Sequence, residues 1–259
     1  MRVIFQYFGT ACLAVLLTIG SAHATLNNGG FETGDFTGWS TIGDALVVSA
    51  PFGVTPTEGT FQALITNGPG GIFGQFMGSY SGVHSVDAFG VFAPLESFVG
   101  LPVFSLSLLA KLLAGGGIAW EGSAISQTFT ANAGSLLSFN WNYLTDDGYD
   151  YAFVALDGAL ILLATYGSVS PGSGTLFAYE SGYQTFATTL TNGGVHQIAI
   201  GVVDNGPDPA VNSGVLVDRF RVQPLPEPSS LLLFGFGMVG LIIYRQYRTN
   251  NSHIGLSSS

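Results

Sequence analysis

In Leu137-Ser138-Phe139-Asn140-Trp141-Asn142-Tyr143 every odd position is apolar and every even position polar. Side chains of a strand alternate between two faces, so this period of two describes a strand with one face buried and one wet, in an antiparallel sheet. A helix needs apolar groups three and four residues apart and cannot use this run. Ala124 to Thr130 alternates in the same way. Tyr149 to Leu156, Asp157-Gly158 and Ala159 to Ala164 read as a hairpin, because Asp-Gly supplies the positive φ angles of a tight turn. Tyr183 to Leu190, Asn192-Gly193-Gly194 and His196 to Val203 suggest a second hairpin, and Val215 to Val222 closes the domain. Between Thr41 and Ile65 short apolar groups alternate with turn residues, again as strands. The fold class expected is all-β, an antiparallel β-sandwich.

Two stretches break the pattern. Asn67 to Gly90 is glycine-rich and reads as a long loop. Pro94 to Val99 and Phe104 to Leu113 have helical character, and Gly115-Gly116-Gly117 ends the second. This helical insertion, about 94–114, is expected to cover one end of the sandwich, with a lipid-binding or partner helix as the alternative.

The N-terminus reads as a signal peptide over 1–24. A basic start at Met1-Arg2 leads into the apolar Ala11 to Ile19, and Ala22-His23-Ala24 forms an A-x-A site for signal peptidase, so the mature chain begins at Thr25. Cys12 is the chain's one cysteine and lies in that leader, which leaves the mature part without a disulfide or a thiol nucleophile. Residues 25–224 carry only Lys111, Arg219 and Arg221 as basic groups, against an excess of carboxylates in a chain of net charge −10. That balance excludes nucleic-acid binding, which needs a basic footprint.

After the sandwich come Pro226-Glu227-Pro228, the uncharged run Leu231 to Tyr244, and a basic cluster at Arg245 and Arg248. As a helix, 231–244 rises roughly 21 Å, short of the ~30 Å hydrocarbon core, with the arginines able to snorkel. The prolines keep the lead extended and open to a protease. A plain single-span anchor and a buried helix are the alternatives. The order of the three features resembles the PEP-CTERM sorting signal, placed here at 224–248, and the tail 249–259 is expected to be disordered. The resemblance implies processing by an exosortase-type transpeptidase. It also implies a transient stay in the inner membrane of a Gram-negative-type cell, then residence at the cell surface or in the extracellular matrix.

Leu26-Asn27-Asn28-Gly29-Gly30-Phe31-Glu32, followed by Gly38-Trp39, resembles the first strand of galactose-binding-like jelly-roll modules, including carbohydrate-binding modules, and Val215 to Val222 resembles their last strand. The resemblance implies a jelly-roll sandwich over 25–223 and a structural calcium held by Glu32 and Asp218. Alternation places Asp218 on the face of Leu216 and Phe220, where a lone carboxylate is costly unless paired or bound to a cation. A surface pair with Arg219 or Arg221 is the alternative, and Phe31 and Trp39 also read simply as packing.

Asp146-Asp147-Gly148-Tyr149-Asp150 gathers carboxylates between two strands, as does Asp204-Asn205-Gly206-Pro207-Asp208. Asp146, Asp147 and Asp150 are candidate ligand contacts, or else the solvated turn that such loops usually are. Trp120, before Glu121-Gly122, is the candidate exposed aromatic platform, whereas Trp141 and Tyr143 fall on the apolar face of their strand. His84 and His196 stand alone, and no H-E-x-x-H, G-x-S-x-G or Walker-type motif is present. The reading is a non-catalytic exported protein binding exopolysaccharide. The alternatives are a purely structural or adhesive protein and a glycan-active hydrolase, which needs two carboxyls ~5 to 9.5 Å apart across a cleft.

Overall fold

The computed structural model describes residues 26–67, 86–88, 94–113, 117–205, 213–224 and 230–252. The chain divides into two compact units, Met1–Pro224 and Leu225–Ser259.

The first unit is a sandwich of two antiparallel sheets. Sheet A contains β1 (Ser40–Ile42), β5 (Glu121–Ala131), β12 (Gly194–Asp204), β7 (Tyr151–Leu156) and β8 (Ala159–Thr165) in that order, with β4 (Val86–Asp87) also on β5. Sheet B runs β2 (Asp44–Ser49), β3 (Phe61–Thr66), β13 (Ser213–Gln223), β6 (Leu136–Thr145), β10 (Tyr179–Glu180) and β9 (Ser170–Pro171), with β11 (Gln184–Thr189) also on β6. The alternating residues do what their period demands. Leu137, Phe139, Trp141 and Tyr143 face the core between the sheets, beside Ile125, Phe129, Ile200 and Val217. Each such burial contributes about 1.5–3 kcal/mol. The Asp157-Gly158 hairpin forms as its sequence requires, with φ of 50° and 80° at the two turn residues.

Four expectations need correction. Leu26 to Trp39 is not a strand. Asn28 and Phe31 take positive φ, and the segment closes on itself through Phe31 N–H to Asn28 O, Gly34 N–H to Phe31 O and Trp39 N–H to Phe36 O. It is a chain of turns that drives Phe31 and Trp39 against Phe220, which in turn stacks on Phe139, to plug the core. Secondly, β11 and β12 do not form a hairpin. β11 lies on β6 in sheet B while β12 lies between β5 and β7 in sheet A, so the Asn192-Gly193-Gly194 stretch crosses between sheets. The two runs differ in burial, β11 being a largely exposed edge and β12 almost wholly buried along 198–204, and burial chose the partners.

Thirdly, Asp218 shares the outer face with Leu216 but not with Phe220. The register of β13 on β6 shifts between Asp218 and Arg221, and Arg219 sits at φ 56°. This bulge adds one residue and returns Phe220 to the core beside Val215 and Val217. Fourthly, the helical insertion covers a sheet face, not an end. α1 (Pro94–Val99) and α2 (Ser105–Leu112) lay Leu95, Val99, Leu106 and Ala110 over Ala124, Tyr151, Phe153 and Ala199 on the outside of sheet A. Buried Glu96 of α1 accepts the N–H groups of Phe104 (2.6 Å) and Leu106 (2.8 Å), a carboxylate cap on α2. Burial pushes its carboxyl above the usual range, against the pull of those two bonds. The Tyr151 hydroxyl fastens the same turn by donating to Leu106 O at 2.8 Å.

The described residues of the second unit form the helix α3 (Ser230–Ser252). It runs past the apolar run 231–244, through exposed Arg245 and Arg248, into the first residues of the tail expected to be disordered. No described helix is long and apolar enough to cross a membrane, so α3 falls short of the expected span. Pro226, Glu227 and Pro228, the leader with Ala22 and Ala24, and His84 lie outside the described residues.

Candidate functional site

β6 and β13 are neighbours in sheet B, and β7 and β12 are neighbours in sheet A. Ser213 at the start of β13 pairs with Thr145 at the end of β6, and Val203 near the end of β12 pairs with Tyr151 at the start of β7. Sheet pairing thus places the 146–150 connection and the Asp204-Asn205 corner at the same end of the sandwich, next to the exit of β3 at Asn67.

Their backbones and side chains interlock there. Asp150, fully buried, accepts from Asn67 Nδ2 at 2.6 Å and from the Asn205 N–H at 3.1 Å. Asn67 itself is bonded in both directions to Ser213, by its N–H to Ser213 O (3.0 Å) and by Oδ1 from the Ser213 N–H (2.6 Å). Ser213 Oγ meets Thr145 Oγ1 at 2.6 Å and receives the Tyr143 hydroxyl at 3.3 Å. Asp147, also buried, caps its own loop by accepting the Tyr149 N–H at 2.7 Å. Asp204 is buried as well. Burial pushes the Asp150 carboxyl well above the ordinary carboxylate range, and the charges of Asp204 and then Asp147 push the same way. A protonated Asp150 still accepts both of its hydrogen bonds.

Two aromatic residues are fastened to this network by their backbones. The Trp120 N–H donates to Asp204 O at 2.9 Å and Asn205 Nδ2 donates to Tyr149 O at 3.2 Å, so the backbones of Trp120 and Tyr149 are both tied to the 204–205 corner. Their side chains are 45% and 52% exposed, among large aromatics that are otherwise mostly buried in the sandwich. The structure thus brings Trp120, Asp147 and Asp150 into one region. Asp147 and Asp150 support it from inside. Exposed Asp146 is held elsewhere, accepting the Ala178 N–H at 2.5 Å. Tyr149, Asn205 and Asn67 escaped the sequence reading as functional residues. Tyr149 and Asn205 lie within the two acidic loops singled out there, whereas Asn67 carries no local signal.

At the entry of β3 lies a different construction. Glu32 and Asp218 grip one loop. Glu32 Oε1 accepts the N–H groups of Thr60 and Phe61, both at 3.0 Å. Asp218 Oδ2 accepts Thr57 N–H (2.7 Å), Thr57 Oγ1–H (2.8 Å) and Glu58 N–H (2.9 Å), while Oδ1 accepts the Arg219 N–H at 2.6 Å. Gly59 is required between them: its φ is 62°, and a Cβ there would lie 2.2 Å from the Glu32 carboxyl carbon. Glu58 pairs with Arg221 and Arg219. Burial raises the Asp218 carboxyl above its usual range despite the bonds that it accepts. Among the described residues no three His, Cys, Asp or Glu side chains are grouped to hold a metal ion. His196 Nδ1 faces Asp157 Oδ2 at 2.6 Å, with its ring stacked on Phe129.

Among solved structures the chain is similar to a carbohydrate-binding module, TmCBM61 in complex with β-1,4-galactotriose, at 14% identity and a TM-score of 0.43, over 78% of this chain and 99% of that one. It is also similar to the K2 cleaved adhesin domain of Lys-gingipain, at 7% identity and a TM-score of 0.33, over 80% and 94% of the two chains. A third likeness is to the enzymatically active domain of bacteriophage CBA120 tailspike protein 4, at 7% identity and a TM-score of 0.36, over 76% of this chain and 21% of that one. No curated protein matches the chain. Residues 224–248 match the PEP-CTERM protein-sorting motif, the signal of an exported, exosortase-sorted protein.

Proposed function

We propose that this chain is an exosortase-processed protein of the bacterial surface or extracellular matrix whose sandwich binds exopolysaccharide without cleaving it. The observation that carries the binding is the pair of exposed rings, Trp120 and Tyr149, tied to one corner of a buried polar network. Rigid aromatic faces accept the C–H faces of sugar rings at little entropic cost. The net charge of −10 favours neutral over anionic glycans. Asp147 and Asp150 are buried and engaged in the fold, which favours binding over the hydrolase alternative.

Calcium at Glu32 and Asp218 belongs to the same reading: both carboxylates converge on the 57–61 loop, whose carbonyls are hard oxygen ligands. In this reading signal peptidase cuts after Ala24, and the tail with Pro226, Glu227, Pro228, Arg245 and Arg248 is the exosortase substrate, held briefly at the inner membrane.

Titration of the full-length chain with neutral oligosaccharides, β-1,4-galactotriose among them, tests the binding. Trp120→Ala is expected to weaken affinity at this end at least tenfold with little change in melting temperature. Unchanged affinity would remove Trp120 from the site. Mass spectrometry of the protein from its native host tests the sorting: a chain from Thr25 to near Pro226 is expected, and an intact, membrane-held C-terminus would overturn it.

A further inference from the structure

The helical insertion does not cover the whole outer face of sheet A. Between α1 and the β1 edge it leaves a groove of about 450 Å³, lined by Gly38, Ser40, Phe98, Ser126, Gln127, Thr128 and Gln197. Strand register builds its floor. Ser40 lies opposite Ser126 on β1 and β5, and Thr128 opposite Gln197 on β5 and β12, so four polar side chains share one face. Phe98 of α1 forms a wall.

The groove is held by bonds made within the protein. Gln197 Nε2 donates to Phe98 O and to Ser126 Oγ, both at 3.2 Å, which ties the end of α1 to the sheet. Ser126 Oγ donates to Ile198 O at 3.1 Å. Gln127 Nε2 donates to Gly38 O (2.8 Å) and Asn27 O (2.9 Å), fixing the rim. Those side chains are occupied. Ser40 and Thr128 are exposed, and Phe98 is half-buried. Among the described residues no ionisable side chain lines the groove.

We propose that this groove is a second binding site on the chain and that it takes a neutral sugar residue. A volume in the range of small-ligand sites, hydroxyl and amide groups on the floor and one aromatic wall suit a ring with polar edges and an apolar C–H face. The uncharged lining excludes ionic recognition, so a uronic acid or a phosphorylated glycan gains nothing there. The groove lies six to eight residues along β5 and seven along β12 from the Trp120 corner, roughly 20–27 Å at strand rise, so one short oligosaccharide cannot fill both.

The test is a titration of the full-length chain with β-1,4-galactotriose, cellotriose and mannotriose, by calorimetry, comparing wild type, Trp120→Ala, Thr128→Arg and the double variant. Two binding events are expected in the wild type, one in each single variant and none in the double. Ser40→Val, on an exposed edge strand, gives a second reading and is expected to weaken the groove event severalfold without moving the melting temperature; it decides the matter if Thr128→Arg fails to fold. Loss of all binding in Trp120→Ala alone would overturn the groove and leave the loop-end reading standing. Binding that survives Trp120→Ala and ignores both groove variants would overturn it too. A wild type that binds none of the three sugars overturns both sites.

Discussion

Asp218 and Asp150 are both fully buried, at the two ends of β3, and the protein treats them differently. At the entry, Asp218 receives four donors from a loop and its own bulge, and Glu32 grips the same loop. At the exit, Asp150 receives Asn67 Nδ2 and the Asn205 N–H and has two further acids as neighbours. The first carboxylate is a staple, charged groups holding backbone. The second is the centre of a core network, closed to water, where burial and like charge favour the protonated form. A staple can loosen locally, whereas a buried network fails as a unit.

The largest effect should come from Asp150→Ala. It strands Asn67 Nδ2 and the Asn205 N–H in the core and opens a cavity, for about 3–4 kcal/mol of lost stability by urea unfolding. Asp218→Ala should cost less, about 2 kcal/mol, because the freed N–H groups of the 57–60 loop can turn to water. Equal losses would erase the distinction between staple and network.

The pH dependence separates the two regions further. A native carboxyl raised above its unfolded value holds its proton longer than the unfolded chain does. Its contribution is therefore largest below the unfolded range near 3.8 and is lost as pH rises toward the native value. Both residues have this sign, and the larger rise is at Asp150. Asp150→Asn should lower stability at acid pH, where it mismatches one donor, and flatten the decline that sets in as pH rises above the unfolded carboxylate range; Asp218→Asn should leave most of that decline in place. A decline unchanged in Asp150→Asn would assign it to another group.

The smallest effect is that of calcium. Millimolar calcium against a chelator should raise the melting temperature by a few degrees in the wild type and not in Asp218→Ala, as mass action on a native-state site requires. No shift in the wild type would leave Glu32 and Asp218 as a protein-only clamp.

Much of the frame was legible because its signals are local. The alternation of Leu137 to Tyr143, the Asp157-Gly158 turn and the leucine-rich insertion each declare themselves within a dozen residues. What could not be read depends on partners far away. The bulge at Arg219 adds one residue to a run that otherwise alternates, and nothing in its composition marks the place. β11 and β12 look like a hairpin because their turn is sound, yet their burial sends them to different sheets. The loop-end site needs two connections, in sheets set by pairings dozens of residues apart, and Asn67 enters it from a third.

The order of strands also has a mechanical side. β13 is the last strand before the sorting tail, and it is an interior strand, bonded to β6 along most of its length and to β3 from Gly214 to Val217. A strand at the rim can be peeled away one bond at a time, whereas an interior strand shares its load with neighbours on both flanks. A pull on the C-terminal end of β13 therefore first loads its single flank with β6 over Arg221 to Gln223, and meets the doubly bonded stretch from Gly214 to Val217 only beyond the bulge.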